Sequence, residues 1–265
     1  MEFVEVEGLR IAYQRAGAGP PIVLIHSGLG LSSSSWRPQL EALSDEYTVV
    51  VLDVPGCGQS QNPPDSIAWT RYAGLLASFI GVLALERPHI LGLSFGSTFA
   101  LELYRQRPDL PRTLILAGAY AGWEGSLPPL VASQRREFVA RSLDLPPAEW
   151  ARQWSPSMFS SSAPAALIRE IEAMLAGFDP VGQRTLFAVA RGQDLRDILP
   201  TITVPTLLLY GENDSRSPLE VASQLHAAIP NSQLVVIPGV GHVCNLEAPD
   251  QFNSEVRRFL HSVEK

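Results

Sequence analysis

The sequence has few cysteines, no cluster of basic residues and no long apolar run. Cys57 and Cys244 are too few and too far apart for a disulfide framework or a zinc site, so we expect both to be small packing residues. The 20 basic residues are scattered and the net charge is −7, which argues against a nucleic-acid partner, because phosphates bind clustered Lys and Arg. No apolar run approaches the ~18 residues of a membrane-spanning helix, so no membrane span is expected. The acidic N-terminus does not resemble a secretory signal, and a cytoplasmic location is expected.

Most of the chain alternates short apolar runs with helical patterns. At 265 residues it is long enough for one large core, or for a core plus a modest subdomain. Continuous apolar runs of this kind are typical of strands buried in a parallel sheet. The pattern predicts an α/β fold with a mostly parallel central sheet covered by helices on both faces. Strands are predicted at 22–26, 47–53, 89–93, 113–117, 205–210 and 233–238, after an opening hairpin at 2–6 and 9–15; helices are predicted at 35–43, 69–85, 95–107 and from about 249 to 263.

Residues 120–199 interrupt this alternation. Apolar residues recur there at helical spacing without strands between them, and Asp179-Pro180 predicts an N-cap and a first helical position. We therefore predict a helical cap at 120–199, inserted into an α/β core made of 1–119 and 200–265. Beyond the cap, Ser217 to Glu220 reads as a capping box, with Pro218 at the first helical position.

The sequence Gly92-Leu93-Ser94-Phe95-Gly96 follows one predicted strand and precedes a helix. This G-x-S-x-G pattern predicts a nucleophile elbow, a tight turn that exposes the serine hydroxyl beside the start of a helix. Three fixed positions in five can also arise by chance, but the strand before and the helix after favour the functional interpretation. Ser94 is therefore the predicted nucleophile.

A serine hydroxyl needs a base within hydrogen-bond reach, and His242 is the best of the five histidines. It lies in a glycine-flanked loop between the last predicted strand and the last helix. The acid that orients this base should also follow a strand, and Asp214 does so; Glu212, two residues earlier, is a lesser alternative. Ser94, Asp214 and His242 occur in the chain order nucleophile, acid, base, which differs from the other known orders of a serine triad.

The tetrahedral intermediate of acyl transfer needs N–H donors for its oxyanion. One donor is predicted to be the amide of Phe95, directly after the nucleophile. The other is expected from the glycine loop after the predicted strand at 22–26, and the Gly28 amide is the predicted donor.

With these motifs identified, nearly the whole chain resembles the α/β-hydrolase family, in particular its capped esterases, enol-lactonases, C–C-bond hydrolases and cofactor-free haloperoxidases. The matching segments are 26–30, 53–60, the Ser94 elbow, 211–218 and 241–242. The resemblance implies that His26 and Asp53 have structural roles. Ser27 departs from the His-Gly pair usual in the family, and a Ser-Leu-Gly arrangement in enol-lactonase-like members favours lactones. No carboxylate follows the predicted strand at 113–117, where some relatives carry the triad acid.

The expected activity is hydrolysis of a small-molecule ester or lactone with an apolar acyl or aryl part, through an acyl-enzyme and without a metal or organic cofactor. The same triad is compatible with C–C-bond cleavage or perhydrolysis, and a receptor-like member without turnover is a further alternative. The oligomeric state stays open between monomer and homodimer. Seven residues, mostly bulky and apolar, are predicted to line the substrate pocket: Leu29, Tyr120, Trp123, Trp150, Trp154, Met158 and Val243.

Overall fold

The computed structural model describes residues 1–28 and 30–264, and its centre is one eight-stranded sheet. The order across the sheet is β1-β2-β4-β3-β5-β6-β7-β8. Only the pairings β1–β2 and β2–β4 are antiparallel, and the other five are parallel. The strands are β1 (Glu2–Val6), β2 (Leu9–Ala16), β3 (Pro21–Ile25), β4 (Thr48–Leu52), β5 (His89–Leu93), β6 (Thr113–Ala117), β7 (Thr206–Gly211) and β8 (Ser232–Ile237).

The central strands are apolar because both of their faces are covered. In β3, Val23 and Ile25 belong to one core cluster, while Ile22 and Leu24 belong to the other, as expected when successive side chains point to opposite faces. On the first face pack α2 (Trp69–Val82), α3 (Phe95–Gln106) and α9 (Leu219–Ala228). On the second face pack α1 (Arg37–Leu43) and α11 (Pro249–Val263), and the short α10 (Cys244–Glu247) precedes α11. The predicted fold class is confirmed.

Five α-helices lie between β6 and β7, and the structure describes no strand in this segment. They are α4 (Trp123–Ser126), α5 (Pro129–Ser142), α6 (Pro147–Trp154), α7 (Ala165–Leu175) and α8 (Pro180–Ala190). The Leu195 amide donates to the Ala121 carbonyl at 2.9 Å, so the two ends of the insertion meet at the sheet. Asp179 caps α8 as predicted, since its carboxylate accepts from the Val181 amide at 2.9 Å.

The predicted capping box at Ser217 is wrong. Pro218 occupies the N-cap position of α9 rather than the first helical position, and the cap makes no side-chain hydrogen bond. The Ser217 hydroxyl instead donates to the Ala119 carbonyl at 2.8 Å. It therefore ties the start of α9 to the chain that leaves β6.

Candidate active site

Ser94 lies at a sharp turn between β5 and α3. Its backbone has φ 55° and ψ −112°, a conformation that L-residues rarely adopt and that stores strain. A Cβ at Gly92 would lie 2.3 Å from the Gly96 carbonyl oxygen, and a Cβ at Gly96 would lie 2.2 Å from the Ile25 carbonyl oxygen. At both positions the neighbouring backbone leaves no room for a Cβ, so only glycine fits. Together the two glycines allow the turn that the G-x-S-x-G pattern predicts.

His242 and Asp214 form a buried pair in which Nδ1 of the imidazole is 2.8 Å from Oδ2 of the carboxylate. Both side chains are 1% exposed. The other carboxylate oxygen accepts the amides of Arg216 at 2.9 Å and Ser217 at 2.8 Å, which fixes its orientation. When Nδ1 of a neutral imidazole donates a hydrogen bond, Nε2 is unprotonated and its lone pair can accept a proton.

Glu212, the lesser alternative for the acid, points elsewhere. Its side chain is exposed, and it accepts a hydrogen bond from the Gly239 amide at 2.8 Å. Glu212 therefore braces the start of the loop that carries His242, and the carboxylate bonded to the imidazole belongs to Asp214.

The end of β6 contacts both the serine and the histidine. The Ser94 amide donates to the Ala117 carbonyl at 2.7 Å, and the next residue, Gly118, lies against the His242 ring. Nε2 of His242 is buried and makes no hydrogen bond with any residue that the structure describes. A hydroxyl or other proton donor that reaches Nε2 would satisfy this atom.

The loop that carries His242 is held by the inserted helices as well as by the core. The Val243 amide donates to the Met158 carbonyl at 3.1 Å. Glu247 accepts from the Gly241 amide at 2.9 Å and the Ser160 amide at 3.2 Å. A Cβ at Gly241 would lie 2.5 Å from the backbone carbonyl carbon of Phe159, so only glycine allows this approach.

The two predicted oxyanion donors, Gly28 and Phe95, border one cavity together with Ser94. In the described part of the chain, neither backbone amide finds a hydrogen-bond acceptor. A Cβ at Gly28 would lie 2.9 Å from the Phe95 ring, so glycine is also needed for the contact between these two loops.

The cavity next to Ser94 measures about 640 Å³ with its opening to solvent included. Four predicted pocket residues line it, namely Tyr120, Trp123, Trp154 and Met158. Trp150 and Val243, the other two predicted pocket residues, do not line this cavity. Trp150 is fully buried between Trp154 and Phe178, with ring centroids 5.1 and 4.9 Å away, and Val243 is fully buried in the core beneath the His242 loop. Leu29 lies outside the described residues.

Several lining residues were not predicted from the sequence. Leu186, Phe187, Ala190 and Arg191 come from one side of α8 and its C-terminal end, where i, i+4 spacing gives the only sequence signal. Ser27, Thr98 and Gly122 also line the cavity, as does Arg216, which lies two residues after Asp214. The Arg216 guanidinium lies 4.1 Å from the centre of the Trp154 ring, and burial lowers its pKa to about 10, so it stays charged at neutral pH.

The other residues with reactive side chains make structural contacts. His26 donates from Nδ1 to the Ser27 carbonyl and accepts from the Val54 amide, and the Asp53 carboxylate accepts from the Ser33 and Gln59 amides. Cys57 and Cys244 are buried free thiols; burial raises the pKa of Cys57 to about 12 and also raises that of Cys244, which leaves both protonated.

The described residues contain no group of three or more His, Cys, Asp or Glu side chains able to hold a metal, and no helix long and apolar enough to cross a membrane.

Gly118 offers a test of the buried pair. Its φ is +48°, and a Cβ there would lie 3.1 Å from Nδ1 and Cε1 of His242 and 3.3 Å from Oδ2 of Asp214. We expect Gly118→Ala to displace the imidazole and lower kcat by about 10- to 100-fold. Gly8→Ala is the matched control, because Gly8 has φ +83° but a Cβ at this position would meet no atom within 4 Å. Both variants should lose about 1–2 kcal/mol of stability from the backbone conformation alone. Equal kcat values for the two variants would contradict the placement of His242.

With the site geometry established, the chain can be compared with known proteins. A family model described as the alpha/beta hydrolase family matches residues 22–255. The chain belongs to the α/β-hydrolase family.

Similar proteins include hydrolases of several substrate classes. The structure of an esterase from Thermogutta terrifontis, solved with malate bound, has a TM-score of 0.91 and 29% sequence identity, with 100% of both chains covered. An enol-lactonase from Burkholderia xenovorans LB400 has a TM-score of 0.88 and 25% identity, covering 98% of this chain and 100% of that one. A protein of Shigella flexneri serotype X, provisionally named carbamate hydrolase RutD, is 30% identical over 93% of each chain.

Proposed function

We propose that the protein is a serine-dependent hydrolase of carboxylic esters or lactones that have an apolar acyl or aryl part. The observation that carries the proposal is the His242–Asp214 pair, whose buried Nε2 has no partner among the described residues and which packs at the strand end that also holds Ser94. This arrangement supports a role for His242 as the base that activates the strained Ser94, which lines the cavity.

The proposed reaction has two acyl-transfer steps. Nε2 of His242 takes the proton of the Ser94 hydroxyl as its oxygen attacks the carbonyl carbon. The amides of Gly28 and Phe95 donate to the resulting oxyanion, and the imidazolium returns its proton to the leaving alkoxide. Water activated by His242 then attacks the acyl-enzyme, releasing the acid and regenerating Ser94.

The substrate class is inferred from the cavity lining and from the proposed cap at 120–199. Tyr120, Trp123, Trp154, Met158 and Phe187 present large apolar surfaces next to the serine. Such a lining favours a medium-length acyl chain or an aryl group next to the scissile carbonyl. The esterase and enol-lactonase among the similar structures support the same class.

A carbamate is a second candidate substrate, because its carbonyl is open to the same serine attack. The sequence similarity to a protein provisionally named a carbamate hydrolase favours including it. The discriminating experiment is a panel of 4-nitrophenyl esters, aliphatic lactones and carbamates, measured with the wild type and Ser94→Ala. Ester or lactone turnover that disappears in Ser94→Ala is expected; turnover of carbamates alone would contradict the ester and lactone assignment.

Trp154 and Trp150 form a matched pair for testing the proposed pocket. Both are buried in α6, but only Trp154 lines the cavity. In Trp154→Ala, 4-nitrophenyl hexanoate should lose about 1–3 kcal/mol of transition-state binding energy. 4-Nitrophenyl acetate should be nearly unaffected, because its acyl chain is too short to depend on this contact. Trp150→Ala should destabilise the fold without changing the ratio of kcat/KM for the two esters. The same ratio in both variants would contradict a substrate contact by Trp154.

A further inference from the structure

The cavity next to Ser94 has two positively charged groups and no negative one among its described lining residues. Arg216 and Arg191 both line it, whereas no Asp or Glu does so. The chain as a whole has a net charge of −7, so this positive lining is not a general property of the surface. A positively charged cavity in an otherwise negative protein attracts negatively charged ligands.

Arg216 lacks the partner that a buried guanidinium normally has. The residue is only partly exposed, and none of the salt bridges among the described residues involves its side chain. Its hydrogen bond within the described chain runs from Nη1 to the Ser157 hydroxyl at 2.9 Å. A guanidinium carries five N–H donors in a planar fork, so most of them remain available to a ligand.

The Asp214 carboxylate attracts the Arg216 charge but makes no hydrogen bond to the Arg216 guanidinium. Asp214 uses one oxygen for His242 and the other for the backbone amides of Arg216 and Ser217. A third arginine adds positive charge, since Arg135 donates from Nη1 to the Arg216 carbonyl and to the Tyr120 hydroxyl. The Trp154 ring beneath the Arg216 guanidinium holds it in place without cancelling its charge.

We propose that the substrate carries a carboxylate remote from the scissile carbonyl, and that Arg216, assisted by Arg191, binds it. The apolar rings that line the same cavity then contact the carbon chain that joins the two functional groups. Half-esters of dicarboxylic acids and lactones bearing an acid side chain have this chemistry. A planar carboxylate matches the guanidinium fork in a bidentate geometry, which gives both charge and orientation. This inference rests on the proposed function, because it concerns the substrate of the same serine.

Matched ester pairs measure the preference directly. In the first pair the acid is on the acyl chain, with mono-4-nitrophenyl adipate compared with 4-nitrophenyl hexanoate. In the second it is on the leaving group, with 4-carboxyphenyl acetate compared with phenyl acetate. We expect the wild type to prefer the acid-bearing ester in at least one pair, and Arg216→Met to lower that ratio of kcat/KM by about 10- to 100-fold. Arg216→Lys should recover part of the preference for the acid-bearing ester. Arg191→Met should lower the ratio of kcat/KM less than Arg216→Met does, because Arg191 is exposed.

Arg152→Met is the control for loss of an arginine, since Arg152 is exposed on α6 and does not line the cavity. The ratio of kcat/KM for each ester pair should be the same in Arg152→Met and in the wild type. A purely structural role of Arg216 would lower the turnover of both esters and leave the ratio unchanged. No acid preference in either pair, or a preference unaffected by Arg216→Met, would overturn the proposal.

A binding measurement separates this inference from the proposed function. Ser94→Ala cannot form an acyl-enzyme, so calorimetry with monomethyl adipate and with methyl hexanoate reports recognition alone. We expect the acid to bind more tightly, and the difference to disappear in Ser94→Ala/Arg216→Met. That result supports the anion site even if the wild type hydrolyses none of the esters. Equal affinities in Ser94→Ala would overturn the inference even if Ser94-dependent esterase activity is found.

Discussion

Ser94→Ala should lower kcat for a 4-nitrophenyl ester by about 10⁶-fold, since loss of a serine nucleophile costs nearly as much as loss of the whole triad. The substitution keeps the backbone and removes only the oxygen that we propose as the nucleophile. Residual hydrolysis would come from the oxyanion donors and from substrate binding.

The backbone conformation at Ser94 gives a second variant with an independent readout. Ser94→Gly should be equally inactive but more stable than Ser94→Ala, by up to about 1 kcal/mol, because glycine relieves the strain of a positive φ. Thermal unfolding of the two variants measures the difference. Substantial esterase activity in either variant would contradict the assignment of Ser94 as the nucleophile.

Asp214→Asn should lower kcat by about 10⁴-fold while the fold remains intact. An asparagine can present an N–H to the imidazole and so favour the tautomer whose Nε2 is protonated. That tautomer cannot accept the proton of the Ser94 hydroxyl, and the asparagine also fails to stabilise the imidazolium that forms during attack.

Glu212→Gln is the matched control, because it makes the same chemical change two residues away. The Glu212 side chain accepts a hydrogen bond from the Gly239 amide and is exposed, so a loss of less than about tenfold is expected. Steady-state kinetics on one ester, with circular dichroism to verify folding, compares the two variants. A larger loss in Glu212→Gln than in Asp214→Asn would mean that Glu212 orients the histidine.

The core of the fold was predictable because a buried parallel strand has a simple sequence pattern. The runs at 89–93 and 113–117 coincide with β5 and β6, since both faces of these strands are covered and nearly every position is apolar. The start of α9 was not predictable in the same way. Ser217 has the right residue type for a cap, but its hydroxyl bonds to Ala119, which is distant in sequence. Local patterns do not report such tertiary competition.

The predicted site shows the same difference between features set by local sequence and features set by tertiary packing. Ser94, Asp214 and His242 each follow a strand, and parallel topology brings such positions to one edge of the sheet. The pocket depends instead on which face of each inserted helix points inward. Trp150 and Trp154 share a helix face at i, i+4 spacing, yet only Trp154 reaches the cavity, because Phe178 packs against Trp150 from the other side. The packing between α6 and its neighbours decides this, and no short sequence pattern encodes it.

The most direct test of the proposed mechanism is covalent labelling of the wild type with a fluorophosphonate, followed by peptide mapping by mass spectrometry. The reagent imitates the tetrahedral intermediate, so it requires an activated nucleophile, a base and an oxyanion site together. The mechanism predicts one adduct per chain on the peptide that contains Ser94, much slower labelling in Asp214→Asn and none in Ser94→Ala. An unlabelled wild type, or an adduct that persists in Ser94→Ala, would contradict it.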